Sequence, residues 1–203
     1  MARKSRTIRF SQIEIVHLLI AWVVVSFAFA IMYSGGNLMD QIFLDKLWIS
    51  AATVGLGFLL HELAHKYVAQ QYGKWAEFRA DFFMLFLAVV MSFIGVIFAA
   101  PGAVYIMGQV SKEQNGKISI AGPLTNFGLA IIFLVLFLVL PQYKQACAYG
   151  LIINSWLCIF NMIPVWNFDG KKILDWNKTY YSILLIGGIL LMVASFGLAS
   201  SLL

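Results

Sequence analysis

The sequence predicts an all-α polytopic membrane protein with five or six transmembrane helices and one re-entrant, strand-containing segment. The first observation is composition: 62% of the residues are hydrophobic and 11% are charged, whereas soluble domains carry about 25% charged residues. The second is a mean hydropathy of +0.87. The third is a series of separate apolar runs, each close to the roughly 20 residues that a helix needs to cross hydrocarbon. Linkers and repeats are absent from the pattern, so we expect residues 1–203 to form a single domain.

Basic residues orient the apolar runs. Under the positive-inside rule, the basic N-terminal segment lies in the cytoplasm, and only Lys46 and Lys144 of the 14 basic residues then fall outside. This predicts a multi-pass protein of the cell membrane with a cytoplasmic N-terminus. Basic residues that flank spans of the lipid bilayer also explain the net charge of +5, so we expect no nucleic-acid partner. Glu14, near the start of the first run, is interpreted as a solvated charge. The runs are Ile13–Tyr33, Leu47–Tyr72, Ile118–Leu140, Ala146–Val165 and Tyr181–Leu203.

A further apolar run, Phe82–Ala100, is interpreted as half of a re-entrant segment. The stretch from Asp81 to Val110 begins and ends near cytoplasmic charge, so it crosses an even number of times. It is too short for two spans of about 20 residues each. Its second half, AAPGAVYI, contains Pro and Gly followed by β-favouring residues. Re-entrant backbone is tolerated where it lines a protein cavity, and a sixth full span remains the alternative.

The motif HELAHK, at His61–Lys66, places polar groups inside an apolar run. Residues i and i+4 share one face of a helix, so His61 and His65 project together, at the spacing that binds one tetrahedral zinc. Glu62 then reaches a water at that zinc as general base, which is the logic of HExxH. The alternative, two interfacial histidines beside a snorkelling glutamate, leaves ionisable groups in hydrocarbon at a cost of several kcal/mol each. We therefore expect one Zn²⁺ per chain.

A catalytic zinc uses three protein ligands, so one more is required. The remaining histidine, His17, lies near the start of the first run and is interpreted as interfacial. Asp169 follows an apolar run that Pro164 interrupts, and it lies at the same membrane side as the two histidines. Taken alone, however, Asp169 and Gly170 are better explained as an ordinary Asp-Gly turn at a helix end.

Four motifs taken together resemble the site-2 protease family of intramembrane zinc metalloproteases. HELAH is followed about a hundred residues later by NMIPVWNFDG, at Asn161–Gly170. Between them, AGPLTNF (Ala121–Phe127) is similar to the family's G-P-x-x-N element, and APGAVYI is similar to its Gly-rich re-entrant strand. The order is the family's, and the resemblance covers about residues 47–175, the predicted catalytic core.

The resemblance implies that Asp169 is the third zinc ligand, with His61 and His65. It departs from the family at Trp166, Asn167 and Phe168, where many members have proline before the Asp-Gly pair; we expect an altered loop that keeps the ligand. A PDZ insertion and a CBS pair are also lacking, so the chain resembles a minimal form of the family.

The implied activity is hydrolysis of peptide bonds in or near transmembrane segments, in regulated intramembrane proteolysis, with a transmembrane protein as substrate. An extended substrate could pair with the predicted strand edge, and its binding residues are then Gly102, Ala103, Val104 and Tyr105. Asn126 is a candidate catalytic residue as an amide donor to the developing oxyanion. A helix–helix hydrogen bond explains Asn126 equally well.

Two other functions remain open. An intramembrane metal transporter could use His and Asp ligands, but it would not need Glu62 beside the first ligand. A non-catalytic relative that binds membrane proteins is the second alternative, although such relatives usually lose a ligand or the base. Glu62→Gln separates the first alternative from a protease, because transport would largely survive it and proteolysis would not.

Overall fold

The structure is a computed structural model that describes residues 8–97 and 101–200. The basic residues Arg3, Lys4 and Arg6, which carry part of the orientation argument, lie outside the described residues, as do the last three residues of Phe82–Ala100 and of Tyr181–Leu203. Eight helices and two strands follow one another along the described part of the chain. They are α1 (Gln12–Tyr33), α2 (Gln41–Ser50), α3 (Leu56–Gln71), β1 (Trp75–Ala80), α4 (Phe82–Ser92), β2 (Gly102–Met107), α5 (Lys112–Val139), α6 (Lys144–Asn161), α7 (Asp169–Trp176) and α8 (Lys178–Ser200).

Within the described residues, four helices are long and apolar enough to cross a membrane, which differs from the predicted five or six. They are Gln12–Tyr33, Gln41–Gln71, Lys112–Val139 and Lys178–Leu198. The expected span Ala146–Val165 forms α6, which packs between α5 and α8 and buries Asn154 and Ser155. Helix α6 has the length of a span, at 18 residues, but its polar residues leave it less apolar than those four helices.

The apolar run after Asp81 forms only the short helix α4, of 11 residues. At 1.5 Å per residue it is about 16 Å long, roughly half the thickness of a hydrocarbon core. Asp81 caps its first turn by accepting a hydrogen bond from the backbone N–H of Met84. A single full span by α4 is therefore excluded on length.

Helices α2 and α3 form one continuous helix that contains a π-helical turn, Ala51–Gly55. The indole of Trp22 on α1 donates to the Ala51 carbonyl at 3.1 Å. A β-carbon at Gly55 would come within 3.0 Å of both Trp22 and Ser26, so the glycine allows α1 to pack closely here. Such π-turns interrupt the regular helix register, and this one lies one turn before the HELAHK motif.

Strand β2 forms where the sequence predicts β structure, and it pairs antiparallel with β1 in a two-stranded sheet. Val104 lies opposite Phe78, and Gly102 lies opposite Ala80. Strand β1 was not predicted, although its sequence WAEFRA gives a partial sign. Its residues alternate in burial, with Ala76 and Phe78 buried, as one face of a sheet packed on a core requires.

The interpretation of Glu14 as a solvated charge is wrong. Glu14 and Lys66 are both 0% exposed and form an ion pair of 2.7 Å that joins α1 to α3. Charged residues near the ends of apolar runs have the same pattern whether they face water or a buried partner, so the sequence could not separate these cases. The pair lies within the packed interior that supports the sheet.

Candidate metal centre

Two elements that are distant in sequence bring three potential metal ligands together. His61 and His65 project from one face of α3, and both are buried. Asp169, the first residue of α7, has a side chain that is only 12% exposed. The two Nε2 atoms are 3.0 Å apart, and the Asp169 carboxylate lies 3.5 Å from His61 Nε2 and 2.9 Å from His65 Nε2. Among the described residues, these three form a group that could hold a metal ion.

The dimensions of this group fit zinc. Ligand bonds of about 2.0–2.1 Å to a tetrahedral zinc separate the donor atoms by about 3.3 Å, and the three observed separations bracket that value. Gly122 on α5 faces the same point: a β-carbon there would come within 3.0 Å of Nε2 of both His61 and His65. The donor set of two imidazoles and one carboxylate is that of several catalytic zinc sites, so these residues could hold a zinc ion and leave one coordination position open.

The other ring nitrogen of each histidine has a fixed partner. His65 Nδ1 lies 2.8 Å from the backbone carbonyl of Ile118, and His61 Nδ1 lies 2.5 Å from Oδ1 of Asn126. Both partners are acceptors, so each Nδ1 carries the proton and each Nε2 presents its lone pair to the centre. The hydrogen bonds at Nδ1 thus fix the tautomer of each histidine that metal binding needs.

Asn126 is fully buried, and its amide group is committed on both sides. Besides accepting from His61, it donates to the carbonyl of Gly57 at 3.1 Å and to Oδ1 of Asn154 at 3.0 Å. Asn154 in turn donates to Gly150. Of the two roles that the sequence leaves open for Asn126, this arrangement favours the helix–helix hydrogen bond, because neither amide donor is left for an oxyanion. Asn126 therefore orients His61 across α3, α5 and α6.

The turn before α7 aims Asp169 at the two histidines. Helix α6 ends at Asn161, and Gly170 then packs so tightly on the Met162 backbone that a β-carbon would come within 3.0 Å of it. Trp166, in the segment where the family resemblance fails, is 93% exposed and has a positive φ of 46°. The altered loop thus extends away from the site and leaves Asp169 in place.

The charge state of Asp169 suits a metal ligand. Burial alone would raise the pKa of its carboxyl, but the positive charge of the His65 and His61 imidazoles, when they are protonated, outweighs burial and holds the pKa well below its usual range. Lys172, one turn along α7, lies 3.8 Å from the carboxylate and adds a weak favourable charge. Asp169 is therefore an anion at neutral pH.

Glu62 lies between the ligands and the free edge of the sheet. In an antiparallel pair, residues alternately direct both backbone groups toward and away from the partner strand. Phe78 and Ala80 donate their N–H groups to side chains of α1, so their partners Val104 and Gly102 also direct their backbone groups away from β1. The N–H of Val104 interacts there with the carboxylate of Glu62. The outer edge of β2 thus runs beside the candidate base.

The remaining candidates from the sequence lie elsewhere. His17 accepts a hydrogen bond from Ala80 N–H at 3.1 Å and is not part of the ligand group. Cys147 and Cys158 are buried and free. Asn161 donates within its own helix to Leu157. Sequence reasoning missed Gly122 as part of the centre, although the glycine lies inside the AGPLTNF motif.

Two known proteins are similar to this chain. The "Putative zinc metalloprotease" of Methanocaldococcus jannaschii is 42% identical over 193 residues, which cover 91% of this chain and 97% of that protein. A "Zinc metalloprotease" of the same organism is 30% identical over 150 residues, covering 72% of this chain and 38% of that longer protein. No family model matches the chain, and no solved structure matches it.

Proposed function

The chain belongs to a family of zinc metalloproteases, and from this premise we propose that it is an intramembrane endopeptidase of the site-2 protease type. Its substrates are membrane proteins, cut in or near a transmembrane segment. One observation carries the proposal: the group of His61, His65 and Asp169 is buried among helices long enough to cross a bilayer. A protease that acts on soluble substrates has no need to bury its centre in such helices.

The chemistry follows from the residues around the centre. A zinc ion held by His61, His65 and Asp169 supplies a Lewis acid that polarises the scissile carbonyl and acidifies the attacking water. Glu62 accepts the proton of that water and later donates it to the leaving amine, as a general base and then a general acid. Asn126 holds the His61 ring with Nε2 directed at the centre. The buried surroundings limit the water that could compete with the substrate.

The substrate binds as an extended strand on the outer edge of β2. A transmembrane helix uses its own amides internally, so a segment must unwind before its carbonyl can reach the centre. Gly102 and Val104 direct backbone groups to this edge, where the N–H of Val104 contacts Glu62, and a strand added there by β-augmentation would replace that contact. Ala103 and Tyr105 direct their backbone groups to β1 and contribute through their exposed side chains.

The proposed orientation places the N-terminus in the cytoplasm of a cell membrane, with α4 and β2 forming a re-entrant segment on the cytoplasmic side. The shortness of α4 and the pairing of β2 with β1, which follows α3 directly, support this placement. The catalytic centre then lies near the cytoplasmic end of α3.

The test is zinc analysis of the purified protein combined with cleavage of a model transmembrane substrate in detergent or liposomes. We expect about one zinc per chain and cleavage by the unaltered protein, and no cleavage by Glu62→Gln at equal zinc content. Proteoliposomes loaded with a zinc indicator test the transport alternative in the same preparation. Zinc flux that survives Glu62→Gln without any proteolysis would reject the protease, and a protein without zinc would reject both.

A further inference from the structure

The two-stranded sheet has one open edge and one closed edge. The outer edge of β1 is covered by side chains from two helices. Glu14 of α1 accepts the N–H of Phe78 at 2.9 Å, and His17, one turn later, accepts the N–H of Ala80 at 3.1 Å. Lys66 of α3 donates to the carbonyl of Ala76 at 2.8 Å. Three outward backbone groups of β1 are therefore partnered by helices, whereas the outward N–H of Val104 on β2 contacts Glu62.

The contact between Glu14 and Lys66 is costly to build. Both side chains are 0% exposed, and their 2.7 Å ion pair lies inside the protein. Buried ion pairs are often no more stable than apolar residues of the same volume, because desolvation offsets the attraction. Stability alone therefore explains this pair poorly, whereas a requirement for fixed geometry explains it well.

Helix α3 contacts both strands of the sheet through two residues, Glu62 and Lys66. Glu62 and Lys66 are four residues apart and so share a helix face. Glu62 meets β2 at the N–H of Val104, and Lys66 meets β1 at Ala76. The turn of α3 between Glu62 and Lys66 therefore contacts both strands of the sheet.

These contacts form a closed loop that joins α1, the two strands and α3. Lys66 binds Glu14, Glu14 holds Phe78, and Phe78 lies opposite Val104 in the sheet. Val104 meets Glu62, which returns to Lys66 along a single helical turn. Lys66 also directly follows His65, a candidate metal ligand, in the sequence. A shift of the sheet relative to the centre would have to break this loop.

We propose that the buried Glu14–Lys66 pair positions the strand edge for catalysis, by setting where a substrate on β2 lies relative to Glu62 and the metal ligands. The inference rests on the proposed protease function. Glu14 and Lys66 are positioning residues: neither touches the substrate, and both act through the sheet. Their loss is expected to misplace the scissile carbonyl while leaving the backbone groups of β2 free to bind substrate.

The first experiment compares the double variant Glu14→Gln/Lys66→Met with the unaltered protein. The double variant removes both charges together, so no lone buried charge remains, and Gln can still accept the N–H of Phe78. A misplacement of about 1 Å can lower a rate about 100-fold, so we expect kcat to fall at least about 10-fold with KM and zinc content nearly unchanged. The matched control is Glu113→Gln/Lys117→Met, which neutralises an exposed pair on α5, and it should behave as the unaltered protein.

The second experiment measures the sheet position without any activity. Spin labels at Tyr67→Cys on α3 and Met107→Cys on β2, both exposed positions, report the distance between helix and sheet. We expect the distance distribution to shift or broaden in the double variant and to stay unchanged in the control. An unchanged distribution, or an unchanged kcat, overturns the proposal.

Should the double variant fail to fold, Glu14→Asp keeps both charges but shortens the side chain by one carbon–carbon bond, about 1.5 Å, and the same two readouts apply. Should the unaltered protein prove not to be a protease, the proposed function fails, but the distance measurement still decides whether the pair holds the sheet. Zinc loss with an unchanged distance would assign the pair to metal binding and reject the positioning role.

Discussion

The imidazole of His61 and the side-chain amide of Asn126 are joined by a 2.5 Å hydrogen bond between Nδ1 and Oδ1. The bond links the candidate metal ligand on α3 to the middle of α5, and Asn126 extends the link to Asn154 on α6. Three helices are thereby held in register by one buried amide. The orientation of a metal-binding ring is thus tied directly to the packing of the helices.

Replacing Asn126 by Leu should weaken zinc binding about 10- to 100-fold, the range typical for loss of a partner that orients a metal-bound histidine. Competition against a chelator of known affinity measures the change. Asn161→Leu is the matched control, because Asn161 donates within its own helix, to the carbonyl of Leu157. If zinc affinity is unaltered in Asn126→Leu while cleavage falls steeply, Asn126 acts on the oxyanion instead.

Alanine at His61, His65 or Asp169 should each remove most of the bound zinc, because a zinc site with two protein ligands is far weaker than one with three. Metal content by mass spectrometry measures this. Asp175→Ala on the same helix α7 serves as control, since its exposed side chain pairs with Lys171 away from the centre. Full zinc occupancy in Asp169→Ala would show that the third ligand has been misassigned.

Gly122→Ala should abolish zinc binding although it adds a single methyl group. Its β-carbon would come within 3.0 Å of Nε2 of His61 and of His65, where the ion is expected to bind. Gly128→Ala on the same helix is the control: nothing lies within 4 Å of a β-carbon there, and the change should stabilise α5 by up to about 1 kcal/mol. Normal zinc content in Gly122→Ala would exclude the proposed metal position.

Proline at Val104 should sharply lower cleavage and raise KM, because it deletes an N–H that lies at the substrate edge and contacts Glu62. Proline at Tyr105 acts differently: this residue bonds toward β1, so the change should weaken the sheet itself. Val104→Ala keeps the backbone donor and should have a mild effect. Cleavage kinetics with parallel zinc analysis separate these cases, and a normal KM in zinc-loaded Val104→Pro would remove β2 from substrate binding.

Cysteines introduced at Gly73 and Gln109 should both react with an impermeant thiol reagent from the same side of the membrane. The two positions flank the segment that contains β1, α4 and β2, and in the proposed re-entrant arrangement this segment enters and leaves on one side. Oriented vesicles and the buried native cysteines provide a low background. Labelling of the two sites from opposite sides would restore a further complete span.

Much of the architecture could be predicted because hydropathy and charge report directly on lipid contact. The runs that became α1, α3, α5 and α8 were located, and HELAHK identified the ligand face of α3. The helix count differs because α6 carries polar residues that make it less apolar than the four helices that meet the criteria of length and composition. Strand β1 and the Glu14–Lys66 pair were missed since both depend on partners distant in sequence.

The site likewise combines features that local sequence predicts with features that depend on partners distant in sequence. The spacing of His61 and His65 carries local information, because one helical turn fixes their relation. Asp169 could be assigned only through a family resemblance, since an Asp-Gly turn has the same local pattern. The roles of Gly122 and Asn154 are set by the approach of α5 and α6 to α3, and only the three-dimensional arrangement reveals them.

The division of the ligands between α3 and α7 also bears on how such a protein is made. During synthesis, His61 and His65 enter the membrane about a hundred residues before Asp169 leaves the ribosome. Until α5 inserts and α7 folds back, the nascent chain has only two of the three proposed ligands. Asn126 is also not yet in place to orient the His61 ring. The proposed protease would thus remain inert toward neighbouring nascent helices at the insertion machinery, and become active only when its last proposed ligand, Asp169, arrives.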